Sequence, residues 1–97
     1  MTSQRHSLDK SAEALVESHY QLIQSLIALR LRMGLSQETV GSRMGVSQPS
    51  VAAFESLDSN PTLSTIRRYA LAVGAHISHQ VTAPNKAPAK RKSKATA

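Results

Sequence analysis

The chain has 97 residues and a net charge of +6, from 12 basic and 6 acidic side chains, and it contains neither cysteine nor tryptophan. That length supports one small core, and the missing cysteine excludes disulfides, thiolate zinc sites and cysteine nucleophiles. Phe54, Tyr20 and Tyr69 are the only aromatics, so the core must be built from Leu, Ile, Val, Met and Ala, a mix that suits packed helices better than a β-sandwich. No apolar run is long enough to span a bilayer, and Met1 to Lys10 lacks the apolar centre of a signal peptide. The expected location is therefore the cytoplasm. Lys86, Lys90, Arg91, Lys92 and Lys94 crowd the last stretch without an acid among them, which leaves seven basic against six acidic residues elsewhere. Such a stretch alone implies an arm that seeks polyanions.

In chain order, residues 1–10 are polar and read as a disordered N-terminus. Ser11 is the expected N-cap of a long first helix, with Leu15, Leu22, Leu26, Leu29 and Met33 at helical spacing and Gly34 to end it. Ser36 caps a short second helix from Gln37 to Met44, which Gly45 ends. Ser47 caps a third from Gln48 to Glu55, with Pro49 in the first turn, where a missing N–H costs little. Thr62 opens a fourth helix with an inner face of Leu63, Ile66, Tyr69, Ala70 and Val73, closed by Gly74. The period then changes to two, with Ile77, His79 and Val81 alternating with His76, Ser78 and Gln80, which predicts a short strand. Residues 83–97 are Ala, Pro, Lys and Ser without a core pattern and read as a disordered basic tail. The fold class is thus all-α, four main helices within residues 11–82, with a C-terminal β-strand.

Gln37 to Glu55 fits two helices crossing steeply through a tight turn. Val40 and Met44 anchor the first helix, Gly41 leaves room at the crossing, Gly45 accepts positive φ, and Val46 plugs the turn. Val51 and Phe54 face inward, which leaves Gln48, Pro49, Ala52 and Ala53 outward. With these features in place, Leu26 to Gly74 resembles the Cro and phage-repressor family, also called the xenobiotic-response-element family. The matching words are Leu35-Ser36-Gln37, Met44-Gly45-Val46-Ser47-Gln48 and Val51 to Glu55.

The resemblance implies a lambda-repressor-like helix-turn-helix whose third helix enters the major groove of double-stranded DNA. It puts Gln48, Pro49 and Ala53 at base-readout positions. A Gln amide pairs bidentately with adenine, whereas Pro49 and Ala53 offer only apolar contact. Gln37, Ser47 and Ser50 are the implied phosphate contacts, Gln37 also bracing Gln48. Arg43, Arg67 and Arg68 are the ordered cations available to phosphates, or equally to solvent. Arg30 and Glu55 match an internal ion pair of the family, or else stand as two separate surface charges.

Two departures stand out: Leu57 replaces a customary Gly after the third helix, and the strand-like segment replaces a fifth helix. The latter resembles, loosely, antitoxins of the host-inhibition-of-growth type. An exposed strand edge seeks another strand, so Ile77, His79 and Val81 are the expected dimer strand, with Leu15 and Val16 on the first helix as the competing interface. His76 and His79 would point to opposite faces of a strand, so no metal site, no catalytic residue and no cofactor are expected. The reading these residues and the resemblance favour is a dimeric, nucleoid-associated repressor acting at an inverted-repeat operator. The second reading is an antitoxin that binds a toxin protein and represses its own operon. The reading from another class is a protein-interaction adaptor without base readout.

Overall fold

The computed structural model of the chain describes residues 2–83. Among the described residues there are four helices, α1 (Thr2–Arg32), α2 (Gln37–Met44), α3 (Gln48–Glu55) and α4 (Leu63–Val73). Helices α2, α3 and α4 start at side-chain caps: Ser36, Ser47 and Thr62 accept from the backbone N–H of Thr39, Ser50 and Thr65. Gly34, Gly45 and Gly74 all have positive φ, so α1, α2 and α4 end where a residue without Cβ can turn left-handed. α3 ends differently. Ser56 has an extended backbone and its hydroxyl donates to Ala53 O at 2.8 Å, so the side chain satisfies a carbonyl at the helix end and Leu57 is left exposed.

The core comprises Ile23 and Leu26 of α1, Val40 of α2, Val51 and Phe54 of α3, and Ile66, Tyr69, Ala70, Ala72 and Val73 of α4. α2 packs on α3 and α4, while α1 packs on α4 and α3. Gly41 lies at the α2–α3 crossing, where an added Cβ would come within 2.7 Å of the Val46 carbonyl oxygen. The turn therefore requires glycine there for space rather than for backbone freedom.

Three expectations need correction. Ser11 lies inside α1 and caps nothing, because the helix already runs from Thr2. No Gly or Pro interrupts Thr2 to Met33, and a nucleated helix gains a hydrogen bond for each residue it adds. Leu15, Met33 and Leu63 are exposed rather than core, since helical spacing marks a face but not where the neighbouring helices stop. Finally, no strand forms over Ile77 to Val81 among the described residues. Period-two alternation needs a partner to become a ladder. Instead, Ala75 and the half-buried Ile77 pack against the core, beside a cleft lined by Leu22, Leu26 and Leu29 of α1, while Val81 is 97% exposed. Of the basic stretch, all but Ala83 lies outside the described residues.

Candidate nucleic-acid interface

α2 and α3 present their N-termini beside each other across the Gly45 turn, close enough for the side chains of Gln37 and Gln48 to bond. The inward face of α3 is committed to the core through Val51 and Phe54. Its remaining face carries Pro49, Ser50 and Ala53, all exposed, and Gln48, half-buried. Ser47 is the cap, and its hydroxyl lies 3.0 Å from that of Ser50.

Behind this face runs a chain of hydrogen bonds that connects the surface to the core. Gln48 Nε2 donates to Gln37 Oε1 at 2.6 Å, and Gln37 Nε2 donates to Glu55 Oε1 at 2.9 Å. Glu55 also accepts two bonds from Arg30, Nε to Oε2 at 2.7 Å and Nη2 to Oε1 at 3.0 Å. Arg30 spends its third group on Leu35 O at 2.8 Å, so one guanidinium ties α1 to the end of α3 and to the loop before α2. The bidentate geometry is what an Arg fork offers a carboxylate. The Tyr69 hydroxyl, from α4, completes the set with a 2.6 Å bond to Glu55 Oε2.

The charges respond accordingly. Burial by itself would raise the Glu55 pKa, but the hydrogen bonds from Arg30, Tyr69 and Gln37 outweigh it and hold the carboxyl below its usual range. The bond to Glu55 raises Arg30 despite its burial. Burial, and then the bond to the carboxylate, push the Tyr69 phenol well above its ordinary value. Glu55 is thus an ionised acceptor, and Tyr69 a neutral donor.

The structure brings Arg30, Gln37, Gln48 and Glu55 into one network through a Gln37–Glu55 bond that the sequence reading did not include, and puts Pro49, Ser50 and Ala53 on the adjoining surface. Arg43 is not part of that group. It donates to Ala72 O at 2.8 Å, at the C-terminal end of α4, and shares a shallow cleft with Arg68 between α2 and α4. A cation bound to helix-end carbonyls is stabilised there without DNA. Arg67 and Arg68 are exposed on α4. Sequence reasoning assigned Tyr69 to the core and missed its hydroxyl. The available signal was chemical: a fully buried Tyr O–H must find an acceptor. Among the described residues no group of three or more His, Cys, Asp or Glu side chains is placed to hold a metal. His76, His79 and Val81 are exposed on the segment after α4.

A family model described as Helix-turn-helix matches residues 26–79, from within α1 to beyond α4. The chain belongs to the helix-turn-helix family. Its two short capped helices, crossing at Gly41, are the unit from which that family takes its name. Two curated relatives, both named Antitoxin HigA1, from Mycobacterium tuberculosis strains CDC 1551 / Oshkosh and ATCC 25618 / H37Rv, are 49% identical to it over 61 residues. The match covers 63% of this chain and 41% of each relative. The chain thus spans about two-fifths of the length of the curated relatives it matches. No solved structure matches it. Among the described residues no helix is long and apolar enough to cross a membrane.

Proposed function

We propose that this chain is a sequence-specific double-stranded DNA-binding transcription regulator, a repressor that acts as a homodimer on an inverted-repeat operator and resides with the DNA in the cytoplasm. The observation that carries this reading is the half-buried Gln48 amide at the start of α3, held by Gln37, which is held in turn by Glu55. A helix that enters the major groove reads bases with its first residues, and a braced amide meets the base without the entropy cost of being ordered. Pro49 and Ala53 add apolar contact, as with a thymine methyl. Gln37, Ser47 and Ser50 are the phosphate contacts in this reading, next to the first N–H groups of α2. Arg67 and Arg68 add positive charge from α4, as does Arg43 from α2. In this reading residues 11–82 form the DNA-binding unit, and the basic residues of 83–97 strengthen its hold on phosphate without selecting sequence.

Selection of binding sites from random duplexes tests this reading, followed by Gln48→Ala on the selected site. The substitution is expected to cost about 1–3 kcal/mol and to relax preference at one base pair. Unchanged affinity and unchanged preference, in a protein that still folds, would defeat the assignment. Binding that depends on salt but never discriminates among sequences would favour the adaptor reading instead.

A second reading is supported by the 49% identity to Antitoxin HigA1: an antitoxin that binds a toxin protein and represses its own operon. Co-expression with the product of the neighbouring reading frame, followed by co-purification and growth rescue, separates it from a free regulator. Rescue without co-purification would count against it.

A further inference from the structure

Each glutamine amide has a donor end and an acceptor end, and the end that faces outward decides which base α3 can read. We infer that Glu55 fixes this orientation through Gln37, and thereby sharpens the choice of adenine over guanine at the base pair facing Gln48, from two turns away along α3 and from behind the helix. The inference rests on the reading of Gln48 as a base reader.

Ionised, Glu55 can only accept. Two bonds from Arg30 and one from Tyr69 hold it in that role. Gln37 can therefore approach it only with its NH2 group, as observed at 2.9 Å. That choice turns Gln37 Oε1 toward Gln48, where it accepts from Nε2 at 2.6 Å. One of the two Gln48 N–H groups is now spent. The amide is left with one N–H and a carbonyl oxygen for the groove.

Adenine offers N7 as acceptor and the N6 amino group as donor, so it matches both remaining groups. Guanine offers two acceptors, N7 and O6. A free glutamine would meet guanine with both of its N–H groups, but here only one remains, and Oε1 would oppose O6. The relay thus adds to the adenine preference that a glutamine amide already has, by withdrawing the second N–H that guanine would need. Contact between Gln37 and a phosphate would not undo it, since a phosphate oxygen is also acceptor-only and would demand the same amide orientation.

The test uses the full chain and paired duplexes, identical except for A·T or G·C at the position where site selection places the Gln48 contact. Binding is measured at one salt concentration for the wild type, Gln48→Ala, Gln37→Met and Glu55→Gln, and the readout is the adenine-to-guanine affinity ratio. The wild-type ratio is expected at about five- to 150-fold, the span of one bidentate pair. Gln37→Met breaks the relay without touching the Arg30–Glu55 ion pair, and should lower the ratio by about threefold or more while Gln48 is still present. Glu55→Gln supplies an amide that can donate, and should move the ratio the same way, by less where a phosphate also holds Gln37. If its circular-dichroism melt shows that this variant does not fold, Gln37→Met decides alone. A wild-type ratio retained by folded Gln37→Met, while Gln48→Ala abolishes it, overturns the relay and leaves the readout standing. A ratio that survives Gln48→Ala overturns the readout itself.

Discussion

Glu55 accepts from Arg30, Gln37 and Tyr69, so the protein rather than water solvates its charge. Because its folded-state pKa is depressed, the stability it contributes is fully present above the unfolded carboxylate value of about 4.3. That stability is lost as pH falls through the lower folded value. Urea denaturation between pH 7 and pH 3 should therefore show a loss of stability that Glu55→Gln shows to a lesser degree; equal losses would mean that the carboxylate is not specially held. Tyr69 works in the opposite sense. Its folded pKa is raised, so its contribution is present below the unfolded tyrosine value of about 10 and fades as pH rises toward the folded one. The ion pair itself has side chains only 10% and 8% exposed, and removing one partner strands a buried charge. Arg30→Ala or Glu55→Ala should each cost about 3 kcal/mol or more. The double substitution should cost less than the sum of the singles by about 1–3 kcal/mol. Additive costs in the cycle would mean two independent charges.

At the scale of elements, the helix-turn-helix depends on how closely α2 and α3 approach. A Cβ on Gly41 would meet a backbone carbonyl oxygen at 2.7 Å, and backbone cannot move aside as a side-chain tip can. Gly41→Ala gains helix propensity worth about 1 kcal/mol but incurs overpacking of about 1–3 kcal/mol. The expected outcome is a lower melting temperature and weaker DNA binding through a shifted α3; a raised melting temperature would show that the crossing has slack. Much of this element was legible in the sequence because its determinants are local. Ser36, Ser47 and Thr62 cap where their hydroxyls reach the next turn, and Gly34, Gly45 and Gly74 end helices where φ must turn positive. Apart from Ser11, the misreadings arose where the determinant was tertiary. Nothing local distinguishes Leu15 or Leu63 from a core leucine; only the reach of neighbouring helices does. The alternation at Ile77 to Val81 describes a ribbon but supplies no partner, and Ile77 found its apolar contact in the core instead. Likewise Arg43 reads as a free cation until the end of α4 is known to sit beside it, and the Tyr69 bond becomes visible only once α3 and α4 are placed together.

At the scale of the whole molecule, the unusual feature is the length of α1. Its 31 residues extend about 46 Å at 1.5 Å per residue, nearly the full 48 Å long axis of the molecule. Its later turns bury Ile23, Leu26 and Arg30. At helical spacing, Leu8, Ala12, Leu15, Val16 and His19 continue the same face toward the N-terminus, and Leu8, Leu15 and Val16 are 67%, 73% and 69% exposed. The proposed homodimer has its most economical interface there, α1 against α1. Covering Leu8, Leu15 and Val16 in both copies would return about 1.5–3 kcal/mol per side chain, against roughly 4–15 kcal/mol for association. The surplus is small, so the free dimer should dissociate at micromolar concentrations and be completed on DNA, where two half-sites about 34 Å apart hold both copies. Replacing Leu15 and Val16 together by Glu separates this interface from the fold. Exposed positions away from special contacts change stability by only about 0.5 kcal/mol each, so the melting temperature measured at monomer concentrations should hardly move. Sedimentation should shift from dimer toward monomer, and affinity for a two-half-site duplex should fall while affinity for a single half-site persists. A variant that still sediments as a dimer would remove α1 from the interface, and a wild-type chain that stays monomeric on the two-half-site duplex would remove the dimer.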